Sequence, residues 1–473
     1  MPILQRPKES IKLVLPPRKA ILAANTNVLV VGGGPAGIGA AIGAAKAGAD
    51  VVLVERFGFL GGNATAALVM PLMSFHTQNH PVEHMDTVEN LFPADHGPGE
   101  PVIAGALSEF LERLVQSGGA IAPSLETGYV TPFDPEIFKM VALEIMDHYK
   151  VKMLFHSFAS GIFIADGTTG VVLETKSGPL VIVADTIVDC TGDGDIAASA
   201  GAKFATGREV DNLVQPMSLM FRMAEFQKIA FQNYVKDHPD QWKGVYGLWE
   251  LIKKATHEGV LELPRENMLF FGTPHSHELI VNSTRITKVL GTDVWDISYA
   301  EWEGRRQVKQ IAAFLKKYVP GFEDSYVAQT GTTIGIRESR RIIGEYVLTA
   351  EDIMGARKFD DVIARCSYPI DVHNPAGKGT ILRKLPTGEA YDIPLRCLIP
   401  KAVDNVLVAG RCISGDHVAH SSYRVMPAAM ATGQAAGVSA AIAGKKGITP
   451  KQVDVEDVQR ELIIQGANLG KRK

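Results

Sequence analysis

Cysteine is scarce in this chain. Its 473 residues include four cysteines, which lie far apart, form no CxxC pair and join no Cys/His cluster with the spacing of a zinc or iron–sulfur site. A disulfide-stapled fold is therefore excluded. The usage fits a reducing compartment, so we expect a cytoplasmic protein. The cysteines are Cys190, Cys366, Cys397 and Cys412.

An excess of one charge is also missing. Lys and Arg together number 48 and Asp and Glu number 52, which gives a net charge of -4 and a pI of about 6.4. Because no block of basic residues stands out, we expect no nucleic-acid partner.

Long uninterrupted hydrophobic runs are missing too. Residues 1–20 contain four prolines and several charges, without the apolar centre of a signal peptide. The most apolar stretch, Val28 to Val54, is interrupted by glycines and carries Lys46 and Asp50. It predicts a folded βαβ segment and no membrane span.

What the chain does contain is an α/β pattern at both ends. A strand at 27–31, a small-residue helix to about residue 47 and a strand at 50–55 form one βαβ unit. Near the C-terminus, a strand at 405–409, a loop rich in Ser and His, and a helix over 427–443 ended by Gly444 repeat the pattern. The two ends are expected to form one discontinuous domain.

The segments between these ends have other patterns. Asp134-Pro135 predicts the start of a helix to about Tyr149, with Asp as N-cap. In residues 151–188 short apolar runs alternate with turn residues, which predicts a small antiparallel layer. Residues 186–190 predict a further buried strand. The middle of the chain carries aromatic-rich strands (MSLMFRM, NMLFF, ELIVNS) and helices at 246–258 and 301–318.

A dinucleotide fingerprint follows the first strand. Gly32, Gly34 and Gly37 satisfy G-x-G-x-x-G between a strand and a helix, and Glu55 ends the second strand. Gly32 allows a tight turn, Gly34 admits a pyrophosphate to the helix N-terminus, and Gly37 lets helix and strand pack closely. Glu55 stands where ribose hydroxyls need an acceptor. The predicted contacts include Pro35 and Ala36 of the same turn.

A second glycine loop comes directly after Glu55. Together with two later turns, it resembles the flavoproteins built on the glutathione-reductase-type FAD fold, and most closely a broad group of FAD-dependent oxidoreductases. The marks of that group here are LGGNAT, DCTGDGD, GIRESRR, YPIDVHNPAGKGT, AGRCIS and RVM…ATGQAAG, between about residues 27 and 443. The resemblance implies FAD as cofactor. It implies as further FAD contacts Arg56, Gly61, Gly62, Asn63, Ala64, Thr65, Thr191, Gly192, Asp195, Gly410 and Arg411.

Two details of the resemblance concern the C-terminal segment. Arg411 stands where many members carry an acidic residue that binds the ribityl hydroxyls. Val425 and Met426 begin the last long helix, whose free N–H groups and positive end would face the flavin ring.

The predicted fold class is thus α/β, with a discontinuous Rossmann-like FAD-binding domain and an inserted α+β substrate domain. The predicted division is a 1–25 N-terminal arm, a 26–214 first part of the FAD-binding domain, a 215–396 substrate domain, and a 397–473 C-terminal part of the FAD-binding domain.

Candidate catalytic residues come from outside the fingerprint. The sequence has no second βαβ dinucleotide site in 200–400 and no CxxxxC pair, so the substrate is expected to meet the flavin directly. Such a reaction needs a base, commonly His. His373, in YPIDVHNP, is the first candidate, and His76 and His417 are the next ones, with His420 beside the last.

Two arginines and a histidine series leave alternatives open. Arg337, like Arg340, could hold a substrate carboxylate or carbonyl, or pair with Glu338 or Glu345 as a structural ion pair. His76, His80 and His84 recur at helical spacing, but Pro81 interrupts that spacing, and we predict no metal site.

The sequence predicts an FAD-dependent oxidoreductase, a dehydrogenase or oxidase, that oxidises a small organic substrate by hydride transfer to flavin N5. The electron acceptor, oxygen or a carrier, stays open, as does the oligomeric state, a homo-oligomer included. Alternatives are a fumarate-reductase-like reduction of an activated C=C bond with Arg337 or Arg340 as acid or anchor, or a non-catalytic FAD-stabilised subunit.

Overall fold

The structure is a computed structural model that describes residues 3–9, 11–78, 91–92, 99–124, 127–165 and 167–470. Its strands are β1 (Ile21–Val31), β2 (Val51–Val54), β3 (Lys152–Leu154), β4 (Phe158–Ala165), β5 (Thr168–Thr175), β6 (Gly178–Asp189), β7 (Phe204–Thr206), β8 (Phe221–Ala224), β9 (Trp242–Lys243), β10 (Tyr246–Gly247), β11 (Met268–Gly272), β12 (Leu279–Val281), β13 (Tyr326–Thr330), β14 (Arg340–Ile342), β15 (Val362–Cys366), β16 (Ile370–His373), β17 (Thr380–Arg383), β18 (Tyr391–Pro394) and β19 (Val406–Val408). Its α-helices are α1 (Pro35–Lys46), α2 (Ala106–Gln116), α3 (Pro135–His148), α4 (Asp195–Ser199), α5 (Lys228–Asp237), α6 (Trp249–His257), α7 (Val294–Tyr318), α8 (Ala350–Met354), α9 (His417–Tyr423), α10 (Met426–Lys446) and α11 (Val455–Ile464).

The central sheet has the strand order β3-β2-β1-β6-β5-β4, and β19 also pairs with β6. Strands β3, β2, β1, β6 and β19 run parallel, whereas β5 pairs antiparallel with β6 and β4 pairs antiparallel with β5. The predicted βαβ unit is confirmed, because β1 and β2 pair in parallel and α1 connects them. The α/β fold class is likewise confirmed.

The sequence predicted an antiparallel layer over 151–188 and a separate buried strand at 186–190, and this separation is wrong, because β6 is one continuous strand. Its first half pairs with β5, and its last residues, from Ile187 to Asp189, pair with β19. One long strand therefore belongs to both the antiparallel layer and the parallel sheet. Strand β1 is also longer than predicted, because Ile21 and Leu22, assigned to the arm, already pair with β6.

A second sheet contains the aromatic-rich strands, in the order β13-β8-β12-β11-β10-β9. A hydrophobic cluster with members from Met217 to Ile336, together with Leu91, lies around it and α7. Residues from Ile342 onward contribute to the other cluster, which surrounds the central sheet. Along the chain, membership therefore passes from the second-sheet cluster to the central-sheet cluster near residue 337. The domain boundaries at 215 and 396 stay a prediction.

Capping explains where several helices begin and end. Asp134 caps α3 as predicted, with its carboxylate accepting from Glu136 N at 2.6 Å. Helix α7 begins at Val294, before the predicted 301, because the Asp293 carboxylate accepts from Trp295 N at 3.0 Å. The predicted Ser- and His-rich loop contains α9, which Asp416 caps. Helix α10 passes the predicted end at Gly444 and stops at Gly447, whose φ is +62°.

Helices α1 and α10 pack with their backbones in close contact through four glycines. A Cβ on Gly433 would lie 2.0 Å from Ala36 O, and one on Gly437 would lie 2.0 Å from Ala40 O. From the other side, Gly39 and Gly43 approach the main chain of α10 in the same way. The expected Ala/Gly-rich helix therefore packs on another helix as well as on the sheet.

The helices in the described part of the chain also bear on membrane insertion. No single helix there has both the length and the apolar character to cross a membrane, and α9 with α10 meets the criteria only as a pair bent by 92°.

The α1–α10 contact predicts opposite effects for two substitutions in one helix. Gly437→Ala should destabilise the protein by about 1–3 kcal/mol or more, because its methyl group overlaps Ala40 O. Gly444→Ala is the matched control, since the nearest atom to its Cβ is Asp185 Oδ2 at 3.4 Å. Helix propensity should make that variant neutral or more stable by up to about 1 kcal/mol. Denaturant unfolding measures both, and equal stabilities would contradict the packing argument.

Candidate functional site

A groove that is partly open to solvent runs along the carboxyl ends of the parallel strands, and its space together with the adjoining solvent is about 1080 Å³. This is the edge at which open α/β sheets bind their ligands. Of the residues predicted to contact the cofactor, the groove is lined by Gly32, Gly34, Pro35, Ala36, Glu55, Arg56, Gly62, Asn63, Thr191, Gly192, Asp195, Gly410, Arg411 and Met426. The groove lining does not include Gly37, Gly61, Ala64, Thr65 or Val425.

The three fingerprint glycines have different surroundings. A Cβ on Gly32 would lie 2.5 Å from Cys190 O, and one on Gly37 would lie 1.8 Å from Gly32 O, so both are required by the fold. At Gly34 the nearest heavy atom to such a Cβ is Gly62 Cα at 3.7 Å. The protein leaves the space beside Gly34 open, which is what a pyrophosphate at the N-terminus of α1 needs.

Glu55 is buried at the end of β2 and held by backbone donors. Its carboxylate accepts from Gly33 N at 2.6 Å and from Phe57 N at 2.9 Å. Burial raises the pKa of Glu55, while these N–H groups and Arg56 lower it. The fixed carboxylate lines the groove and has lone pairs left for ribose hydroxyls.

The second glycine loop packs against the first. Gly61 N donates to Gly33 O at 2.8 Å, and Gly61 has a φ of +113°. Ala64 and Thr65 are buried beneath the loop, where the Thr65 hydroxyl donates to Leu60 O at 2.7 Å. These residues shape the loop, whereas Gly62 and Asn63 line the groove.

The acidic turn after β6 is neutralised by two arginines. Arg411 Nη2 donates to Asp193 Oδ1 at 2.6 Å, and Arg340 Nη1 donates to Asp195 Oδ1 at 2.7 Å. Arg411 lies under Gly192. The carboxylate that lines this part of the groove is Asp195, which comes from the turn after β6.

The N-terminus of α10 forms one end of the groove. Met426 and Ala429, in its first turn, line the groove together with Arg424. Val425 is the N-cap residue and gives no side-chain cap, and Pro427 carries no N–H. The N–H groups of Met426 and Ala428 therefore have no partner within the helix. Two helix N-termini, an open glycine cradle and a buried ribose acceptor together fit FAD.

His373 and Arg337 lie behind this end of the groove, not in its lining. His373 Nε2 is 3.4 Å from Asp371 Oδ2, and Nδ1 is 3.3 Å from the Thr380 hydroxyl. Arg424, in the lining, contacts the same Asp371 carboxylate at 3.4 Å. Burial lowers the pKa of His373 to about 4, although Asp371 raises it. At neutral pH the imidazole is uncharged.

The other candidate histidines occupy different places. His417 Nδ1 lies 2.9 Å from the buried carboxylate of Glu338, which also pairs with Arg341. His420 is fully buried, and burial lowers its pKa well below the usual value. His76 packs against Phe75 and Tyr129. None of these histidines lines the groove.

The described ranges also bear on metal binding. No group there of three or more His, Cys, Asp or Glu residues could hold a metal ion. His80 and His84, with their four-residue spacing, lie outside the described residues.

Several lining residues were missed from sequence. Ser157, Phe158 and Ala159 reach the groove from the start of β4, and Ile334 and Ile336 reach it from the segment before β14. No local motif marks residues 157–159, which the sheet order brings to the groove. Ile336 lies in GIRESRR, but that segment gave no signal that its isoleucine faces the groove.

The glycine geometry predicts that two alanine variants fail for different reasons. Gly34→Ala should fold normally, because its φ of -73° suits any residue and its Cβ has room, but it should bind FAD about 10- to 100-fold more weakly. Gly37→Ala should lose stability of the apoprotein, because of the overlap with Gly32 O. Thermal unfolding of apoprotein and FAD titration separate the two effects. Full FAD affinity in Gly34→Ala would show that no pyrophosphate lies there.

A family model and solved structures match the chain. No curated protein matches the chain. Among solved structures, it is similar to a geranylgeranyl bacteriochlorophyll reductase-like protein from Thermoplasma acidophilum, at 14% identity over 93% of this chain and 83% of that one, with a TM-score of 0.43. It is also similar to p-nitrophenol 4-monooxygenase from Pseudomonas putida, at 11% identity over 93% and 85%, with a TM-score of 0.45. The model of the FAD dependent oxidoreductase family matches residues 27–462, and the chain belongs to that family.

Proposed function

We propose that this FAD-dependent oxidoreductase oxidises a small organic substrate at a C–H bond next to oxygen or nitrogen. When bound, FAD supplies the acceptor for the hydride, at N5 of its ring. The observation that carries the proposal is the position of the His373–Asp371 pair, joined through Arg424 to the end of the groove. The acceptor of the electrons is oxygen or a carrier.

The chain's own residues divide into two roles under this proposal. The glycine loops, Glu55 and the first turn of α10 bind and orient the cofactor. His373 takes the proton from the substrate O–H or N–H. Its low pKa keeps the imidazole unprotonated at neutral pH and makes it a weaker base than an ordinary histidine. Asp371 orients the ring through Nε2 and stabilises the imidazolium that forms.

His373→Ala tests the role of the base. The variant should keep bound FAD and its spectrum while substrate-dependent flavin reduction slows by ~10²–10⁴-fold. The matched control is His257→Ala, at the exposed end of α6, which should reduce at the normal rate. Anaerobic stopped-flow measures both. A normal rate in His373→Ala, or loss of FAD, would exclude His373 as the base.

The depressed pKa also predicts the pH dependence. A histidine with its usual pKa of 6.5 becomes protonated below pH 6.5 and can no longer act as a base. His373, with a pKa of about 4, should support flavin reduction unchanged down to about pH 5.

The same depressed pKa predicts how the stability of the protein depends on pH. Below pH 6.5 this histidine binds a proton in the unfolded chain but stays unprotonated in the native protein. The free energy of unfolding therefore falls as the pH is lowered from about 6.5 to 4. His373→Gln should remove that part of the fall. If the variant and the native protein lose the same stability between pH 6.5 and 4, the depressed pKa of His373 is contradicted.

The same anaerobic experiment separates the rival functions. An oxidation substrate bleaches the oxidised flavin, whereas an activated alkene reoxidises dithionite-reduced flavin. A protein that answers to neither, across a panel of small metabolites, would be a non-catalytic FAD subunit. Oxygen consumption during turnover distinguishes an oxidase from a dehydrogenase.

A further inference from the structure

Four arginines surround the region behind the Arg424 end of the groove. Arg265 and Arg285 lie next to β11 and β12, Arg337 precedes β14, and Arg424 precedes α10. Burial, together with the charges of Arg424, Arg265 and Arg285, lowers the pKa of Arg337 to about 9. Burial, with Arg285, also lowers the pKa of Arg265 to about 10. The four guanidinium groups therefore repel one another in a weakly hydrated region.

Uncharged oxygens hold most of these guanidinium groups. In the part of the chain that the structure describes, no carboxylate forms an ion pair with Arg265, Arg285 or Arg337. Their closest hydrogen-bond acceptors, at 2.7 to 3.1 Å, are the Ser218 hydroxyl and the main-chain oxygens of Pro216, Asn282, Asn374 and Gly379.

Asp371 is the carboxylate that faces this cluster. It lies 3.4 Å from Arg424, and its charge raises the pKa of Arg337. Glu338, next in sequence to Arg337, instead pairs with Arg341 and His417. With His373 neutral, one negative charge therefore stands against four positive ones.

Unpartnered polar atoms give independent evidence for a missing ligand. Nε of Arg285 and Nε of Arg424 are buried and have no hydrogen-bond partner among the described residues, nor has Nε2 of Gln215. Arg285 is 6% exposed and Gln215 is fully buried. Gln215 Oε1 accepts from His373 N at 3.3 Å, which places the free amide beside the predicted base.

Buried guanidinium groups without counter-charge are costly, and planar carboxylates are the ligands that suit them. We propose that Arg265, Arg285, Arg337 and Arg424 bind the carboxylates of an organic-acid substrate beside His373. A single carboxylate leaves most of the positive charge uncompensated, so the site favours an acid with two or three carboxylates. That this acid is the substrate rests on the proposed oxidation, whereas its binding does not.

Binding is tested on apoprotein and FAD-loaded protein with succinate, citrate, acetate, inorganic phosphate and the uncharged succinamide. We expect citrate and succinate to raise the melting temperature of both forms and to shift the spectrum of bound oxidised FAD, acetate to do so weakly, and succinamide not at all. No response to any carboxylate, or a stronger response to phosphate than to citrate and succinate, would overturn the assignment.

Two variants locate the binding. Arg337→Gln should weaken citrate binding by about 10- to 100-fold, and Arg337→Lys should restore part of it, since a lysine keeps the charge without the planar fork. The matched control, Arg305→Gln on the exposed face of α7, should bind as the native protein does. If Arg337→Gln does not fold, Arg285→Gln gives the same measurement. Unchanged citrate affinity in a folded variant of the cluster would overturn the proposal.

The outcomes separate this inference from the proposed function. If di- or tricarboxylates bind but no organic acid reduces the flavin, the carboxylate-binding site is supported and the proposed oxidation of such an acid is contradicted. If a neutral substrate reduces the flavin and no carboxylate binds, the proposed oxidation is supported and the carboxylate-binding site is contradicted.

Discussion

The contact between α1 and α10 is the constraint on which the rest of this structure depends. Glycines on both helices bring the two backbones together, with Gly39 and Gly43 facing α10 and Gly433 and Gly437 facing α1. A helix N-terminus carries unpaired N–H groups and a partial positive charge. Because the two helices lie in contact, both N-termini open into the same groove. Chain segments nearly 400 residues apart thereby form one anion-binding edge.

The electrostatics of the site continue from this edge. At one end, the acidic turn after β6 is matched by Arg340 and Arg411, so its charges balance. At the other end, Arg424 leads into the four-arginine cluster, which Asp371 balances only in part. The local charge excess arises in a chain whose net charge is -4. Charge composition alone therefore says little about a buried site.

The two hydrophobic clusters explain why the site is divided in this way. The cluster around the central sheet supplies the glycine loops, Glu55 and the start of α10. The cluster around the second sheet supports Asn282, which accepts from Arg265 and faces Arg337. The proposed carboxylate site draws on both cores. Asp371 and Arg424 lie beside residues of the first cluster, whereas Arg265 and Arg285 lie beside residues of the second. The groove end at Ile336 and Arg424 lies where the two cores meet.

The sequence alone predicted the glycine loops and Glu55 as cofactor residues, because they belong to local patterns, whereas lining residues such as Ser157 and Ile334 belong to none. The strand–turn–helix order predicted the roles of Gly32, Gly34 and Gly37, and Glu55 followed from its distance along the same βαβ unit. The sequence did not show that β6 belongs to two layers, nor that α9 replaces a loop, because strand pairing and helix packing decide both. The arginine cluster was decided by tertiary structure only. Arg265 and Arg285 sit in no motif, and their charge becomes important only because folding buries them beside Arg337 and removes the water that would otherwise screen it.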